Sequence, residues 1–324
     1  MRPWILVTGG AGYVGSVVVE ELLGHGHRVR VLDSLAHGSV PSLLQVWGHD
    51  GFEFVRGDVR DESARAKALA DVGAVVHLAA IVGDPACSRE PDLAREVNLE
   101  GTHALLDEAD RGGVERFVFA STCSNYGKMA DSSQLATEEL DLRPVSLYAE
   151  TKVEAELDVL GRSNNGLTTS CLRFATVYGA SARMRFDLTV NEFTRDMALA
   201  PELVVFGEQF WRPYIHVRDA ARAVRIALEA PVEAVRGEVF NVGETRENYR
   251  KLDIVELLKE RFPEATVSFV HRDEDPRDYR VSFEKVKEHL GFEAQWSVAA
   301  GIDEVSALLQ SGLVGDPFAP EYRN

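Results

Sequence analysis

Apolar residues fall into short, nearly unbroken runs separated by segments in which they recur every three or four positions. Trp4-Ile5-Leu6-Val7 is the first run. Further runs lie in 27–33, 52–59, 74–80, 117–120 and 168–174, each short enough for a strand buried on both faces. Between them, helical spacing appears from Tyr13 through Val18, in 62–71, through Leu93, Val97, Thr102, Leu105 and Leu106, and in 145–160. Regular alternation of strand and helix implies an α/β chain with a doubly wound parallel sheet. Past Tyr178 the rhythm changes to shorter strands (203–206, 238–241), two helices (218–228, 251–262), longer loops and scattered arginines. A first domain over 1–178, with segments returning near 213–250, and a smaller mixed α/β lobe from 179–212 and 251–324 are expected.

The first strand runs into Thr8-Gly9-Gly10-Ala11-Gly12, and a helix follows through Tyr13, Val14, Gly15, Val17 and Val18. Strand, glycine turn and helix form the opening unit of a dinucleotide-binding fold. Gly9 suits the sharp turn, Gly12 lets a pyrophosphate approach the backbone, and Gly15 lets the helix pack against the strand. The helix start supplies free N–H groups and partial positive charge. Asp33 closes the second strand 18 residues after Gly15. A carboxylate there accepts both ribose hydroxyls and repels a 2′-phosphate, which favours NAD over NADP.

Composition narrows the partners. The 324 residues carry 35 Lys and Arg against 52 Asp and Glu, a net charge of −17, so nucleic acid and anionic membrane are not expected partners. An anionic ligand must then be met by local arginines and helix ends. Cys87, Cys123 and Cys171 show neither paired nor zinc spacing, which fits a reduced, cytoplasmic setting without metal. The first strand begins almost at Met1, leaving no room for a signal peptide, and no apolar run is long enough to span a membrane.

Tyr148 and Lys152 stand four apart on one helix face, behind Ser121-Thr122-Cys123-Ser124-Asn125-Tyr126-Gly127 at the end of the fifth strand. An ammonium beside the phenol, with a nicotinamide cation nearby, is expected to lower the tyrosine pKa and make it a base for a sugar hydroxyl. Thr122 would hydrogen-bond the same oxygen and relay a proton.

With these residues the chain resembles the extended short-chain dehydrogenase/reductases, the NAD-dependent epimerase/dehydratase family acting on nucleotide sugars. The resemblance is collinear from Trp4 to about Phe292. It rests on the glycine turn, Asp33, Gly57-Asp58-Val59, His77-Leu78-Ala79-Ala80, Asn98 before Gly101-Thr102, the tyrosine–lysine pair, Arg173-Phe174-Ala175-Thr176-Val177-Tyr178-Gly179 and Arg212-Pro213-Tyr214-Ile215-His216-Val217. It implies a Rossmann domain that holds NAD. Asp58 would take the adenine amino group and Val59 would pack on the ring. Ala79 and Ala80 would line the phosphate and ribose, and Lys152 would also hold the nicotinamide ribose. Tyr13, Val14, Ser34, Leu78, Ala120 and Phe174 would complete the cofactor site. Asn98, placed in that site too, would help orient the active-site helix. His77 and His216 read as structural.

For the substrate, a nucleotide-diphosphate sugar, the resemblance implies Arg212 on the phosphates and Arg272, in the run 272–278, on phosphate or ribose. Val204 and Phe206 would lie along the nucleobase, Val82, Thr122 and Cys123 would also be in the substrate site, and Thr176, in place of the common asparagine, would weaken the contact to the substrate phosphate. Arg183 and Arg185 either reach the sugar or stay solvated. A homodimer through helices near 92–111 and 146–162 is implied.

Departures narrow the reaction. The 4,6-dehydratases carry Asp-Glu after the catalytic threonine, where this chain has Cys123-Ser124. Cys123 is either a thiol acid/base or inert. Asn125, Thr176 and Pro213 replace the usual valine, asparagine and aspartate, which leaves the sugar open. The expected activity is C4 epimerisation, in which hydride leaves C4 to NAD, the 4-keto sugar rotates, and hydride returns to the other face. A 4-ketosugar reductase and a non-catalytic NAD-binding scaffold are the alternatives.

Overall fold

The computed structural model describes residues 3–129, 134–273 and 277–324. Its strands are β1 (Trp4–Thr8), β2 (Arg28–Asp33), β3 (Phe52–Arg56), β4 (Val72–His77), β5 (Arg116–Thr122), β6 (Thr168–Phe174), β7 (Thr176–Tyr178), β8 (Leu203–Phe206), β9 (Trp211–His216), β10 (Glu238–Val242), β11 (Asn248–Arg250) and β12 (Val267–Val270). Seven pair in parallel in the order β3-β2-β1-β4-β5-β6-β10. Strand order reverses between β1 and β4, which opens a crevice at their carboxyl ends where ligands of such sheets bind.

Alternation of side chains across the pleat divides the core into two layers. Val7, Val76, Val118 and Leu172 face helices Tyr13–Gly24 and Val217–Glu229. Leu6, Val75, Phe117 and Phe119 face the other side, where Leu105, Leu106, Ala155 and Val159 cover them from helices Gly101–Arg111 and Leu147–Gly161. This burial on both faces explains the near-absence of polar residues in the runs.

The expected helix through Leu93–Leu106 is three pieces: Pro91–Arg95, a π-helical turn Glu96–Glu100, and Gly101–Arg111. The extra residue of a π turn re-aims its side chains, and here it carries Asn98. The run 74–80 leaves the sheet at His77, because Ala79 N turns to donate to Thr8 Oγ1. Four short strands were not anticipated: β7, β9, β11 and β12. β11, β9 and β7 form one small sheet, and β12 pairs with β8. Around them Tyr178, Phe193, Tyr214, Ile254 and Ile302 build a separate core. All three cysteines are free and buried. Among the described residues no helix is long and apolar enough to cross a membrane, and no His/Cys/Asp/Glu group could hold a metal ion.

Candidate active site

The crevice is a cavity of about 290 Å³ over the glycine turn. Gly9 has φ +70°, and a Cβ there would sit 2.8 Å from Ala79 N. At Gly15 it would meet Gly9 O at 2.1 Å, so neither position admits a side chain. Helix Tyr13–Gly24 starts at Gly12 with no side-chain cap and no acidic residue in its first turn, leaving its N–H groups turned toward the cavity. Asp33 Oδ2 accepts from Ala11 N at 2.9 Å and Oδ1 from Leu35 N at 2.8 Å, so its carboxylate braces the turn it faces.

Gly9, Gly12, Tyr13, Val14, Gly15, Asp33, Ser34, Asp58, Val59, Leu78, Ala79, Ala80 and Val82 all line this cavity. Tyr13 does so with its main chain: its hydroxyl donates to Gly179 O at 2.7 Å. Asp58 is gripped by Arg60, whose guanidinium holds its carboxyl below the usual range.

Ser146 caps helix Leu147–Gly161 by accepting from Ala149 N, which fixes its first turn, where Tyr148 lies half-buried. Lys152, one turn on, is buried and donates from Nζ to Ala120 O at 2.8 Å, with its ammonium 4.5 Å from the Phe119 ring centre. Burial brings Lys152 down to about 8. Burial pushes the Tyr148 phenol up, and Cys87 and Asp84 add to that while Arg185 opposes it. Lys152 is not among the groups that lower the phenol here; its ammonium donates to a carbonyl on β5. Thr122 Oγ1 accepts from Ser124 N at 3.1 Å and caps the turn Cys123–Tyr126.

Farther along the chain, Val204 and Phe206 are exposed on β8, and the Arg272 guanidinium lies 5.3 Å from the Phe206 ring centre. Arg212 is buried, donating to Trp211 O and Arg277 O, with its guanidinium 5.7 Å from the Tyr279 ring centre. Thr176 is half-buried on β7. The arginine run 272–278 is described except at 274–276, which lie outside the described residues.

A family model, "NAD dependent epimerase/dehydratase family", matches residues 5–243. The chain belongs to this family. It is 30% identical to a UDP-glucose 4-epimerase of Bacillus subtilis over 94% of both chains. It is 32% identical to a dTDP-glucose 4,6-dehydratase of Streptomyces griseus, covering 93% of this chain and 92% of that one. The solved UDP-glucose 4-epimerase of Thermus thermophilus in complex with NAD superposes with a TM-score of 0.81 at 30% identity, covering 96% of this chain and all of that one.

The cofactor of this family member is NAD. The residues fit it: the side-chain-free cradle at Gly9 and Gly15, the uncapped helix start, the Asp33 carboxylate, and Arg183, whose buried Nε has no partner.

Cys123, Phe174 and Asn98 are among the predicted site residues that do not line this cavity. Cys123 is wholly buried and its thiol donates to Arg173 O at 3.1 Å; burial raises it well above the ordinary thiol range. Its thiol is turned to the main chain of β6. Phe174 is likewise part of the core. Asn98 is 1% exposed and spends its amide inside the protein: Oδ1 accepts from Ile81 N at 2.7 Å, and Nδ2 donates to Ile81 O at 3.0 Å and to Thr151 Oγ1 at 3.3 Å. It joins the cleft wall to the turn between Tyr148 and Lys152.

His77 is buried, pushed down to about 3 by burial, and bridges Thr8 and Thr102 as a neutral strut. His216 is buried on the Trp296 face, with Glu304 as its partner. Arg183 and Arg185, undecided from sequence, line the cofactor cavity. No local signal could place them there, because only the docking of the loop after β7 onto Tyr13 and Ser16 carries them over.

Proposed function

We propose that this protein is an NAD-dependent C4 epimerase of a nucleotide-diphosphate sugar, acting through a transient 4-keto sugar. The observation that carries the reading is the anchoring of the capped helix that bears Tyr148: Lys152 ties it to β5 at Ala120 O, and Asn98 ties Thr151 to Ile81 on the cavity wall. Tyr148 takes the proton from the 4-hydroxyl and returns it. Thr122 binds the same oxygen and passes the proton on. Lys152, buried and fixed on Ala120 O, supplies positive potential along the helix face and holds the nicotinamide ribose. When bound, NAD supplies a reversible hydride acceptor and a positive ring charge. The phenol, held high by burial, becomes a useful base only under that added charge.

The names of the relatives support a nucleotide sugar as substrate. So does the exposed ledge of Val204, Phe206 and Arg272, an aromatic and cationic platform suited to a nucleobase and phosphate. Dehydration at C6 is disfavoured because Cys123 and Ser124 stand where 4,6-dehydratases carry Asp-Glu, and neither is a carboxyl acid.

The test is a screen of nucleotide sugars against the purified protein without added cofactor, with products resolved by NMR. Interconversion of C4 epimers is expected. Stoichiometric consumption of NADH or NADPH with a keto sugar would establish a reductase instead, and turnover of none of them the scaffold. Tyr148→Phe should lower turnover by roughly 10²- to 10⁴-fold while leaving bound NAD per chain unchanged.

A further inference from the structure

Arg183 and Arg185 leave β7 on the same loop, are 7% and 8% exposed, and both line the cofactor cavity. Their electrostatic situations differ. Asp187 neutralises Arg185 in a two-pronged pair, Nε to Oδ1 at 2.9 Å and Nη2 to Oδ2 at 2.7 Å. Arg183 has no carboxylate partner among the described residues. Its Nη2 donates to the main-chain oxygen of Arg323 at 3.0 Å, and its Nε is buried without a partner. Burial, then repulsion from Arg185, brings the Arg183 guanidinium down to about 10. The same two arginines add to burial in holding the neighbouring His37 below its ordinary range.

A buried guanidinium with no counter-ion is costly, and a fold retains one where an anion completes it. The cavity wall it faces already favours an anion, because helix Tyr13–Gly24 begins there uncapped and without an acidic residue. Asp33 and Asp187 act on Arg183 only through space and bond elsewhere, Asp33 to the main-chain N–H groups of Ala11 and Leu35 and Asp187 to Arg185, so no carboxylate touches this guanidinium among the described residues. The loop bearing Arg183 is fixed against the glycine turn: Ser181 Oγ donates to Tyr13 O at 2.7 Å and lies 3.0 Å from Ser16 Oγ. Segment 322–324 holds its other side, with Phe186 N donating to Tyr322 O at 2.9 Å and Asn324 N to Asp187 Oδ2 at 3.3 Å.

We propose that Arg183 is a ligand of the NAD pyrophosphate, closing the cofactor site from the second lobe opposite the glycine turn. Two walls from separate parts of the chain would then grip the diphosphate, N–H groups on one side and a guanidinium on the other. The inference rests on NAD as cofactor and stands whichever sugar reaction the enzyme performs.

The experiment is calorimetric titration of the full chain, freed of cofactor, with NAD, ADP-ribose and adenosine, for wild type, Arg183→Gln and Arg183→Lys. Loss of a charge-assisted bond should weaken NAD and ADP-ribose by about tenfold to a hundredfold in Arg183→Gln, with adenosine unchanged. Arg183→Lys, which keeps charge but not the fork, should fall between. In the protein as purified, Arg183→Gln should shed NAD faster than wild type on dilution. Equal affinity of wild type and Arg183→Gln for ADP-ribose overturns the proposal. So does an equal loss for adenosine, which would mark Arg183 as merely structural.

Discussion

Lys152 Nζ lies 2.8 Å from the carbonyl oxygen of Ala120, so the ammonium is anchored to the end of β5 rather than to the phenol one helical turn away. The anchor sets where positive charge stands relative to Tyr148, and burial makes that charge costly: Lys152 sits at about 8 against roughly 10.4 for an exposed lysine.

The folded state therefore gives up this proton at lower pH than the unfolded chain does. Below about pH 8 both states hold it and the burial cost is fully present. Between about 8 and about 10.4 only the unfolded chain holds it, so stability rises with pH across that window. Denaturant unfolding of wild type and Lys152→Met over this range should show wild type gaining on the variant as pH rises. A flat difference would mean the ammonium is not buried in solution. The same variant should lose at least about 10²-fold in kcat.

Glu156 lies one turn beyond Lys152 and forms a buried pair with Arg173, Nη2 to Oε1 at 2.5 Å, while Ser121 Oγ donates to its second oxygen. Arg173 also reaches Tyr126 OH, so the network ties the active-site helix to β5 and β6. Glu156→Ala leaves a buried guanidinium unpaired and should destabilise by about 3–5 kcal/mol. Glu156→Leu combined with Arg173→Met removes both charges and should be the milder change, read from urea midpoints.

Asn98 is the strut between the cleft wall at Ile81 and the helix turn at Thr151. Asn98→Ala leaves the N–H of Ile81 without its acceptor and its C=O with only the Cys87 thiol, at about 1–3 kcal/mol. It also frees Tyr148 to shift, and a misplacement near 1 Å costs about 10²-fold in rate. We expect kcat to fall more than NAD affinity. A variant that loses affinity with kcat intact would make Asn98 a cofactor ligand instead.

How much of this was legible in sequence follows from the range of the forces involved. Val29, Val31, Leu32, Val75 and Val76 announce their strands because both faces are buried, and the glycine turn announces itself because Gly9 and Gly15 have no room for a Cβ. The π turn at Asn98 is hidden in sequence, since one inserted residue barely alters helical periodicity and the bond its side chain makes is to distant Ile81. β7 and β11, three residues each, carry too little pattern to stand out from loops. Arg183 was ambiguous because an arginine in a loop says nothing about which wall that loop will close.

Cys123 shows the same limit in one residue: its position after Thr122 suggested a substrate contact, and its direction was set by the turn that Thr122 caps. The thiol points to Arg173 O and is raised well above its ordinary range by burial. A group so placed is not available as a thiolate at neutral pH. Cys123→Ala should therefore change kcat by little against the roughly 10²-fold that losing a general acid or base costs, with a stability loss near 1 kcal/mol from lost packing. All three thiols should resist a thiol reagent until the chain is unfolded. A loss of about 10²-fold in Cys123→Ala, with the melting temperature preserved, would return Cys123 to the reacting site and favour epimerisation beside a carbonyl over hydride chemistry at C4.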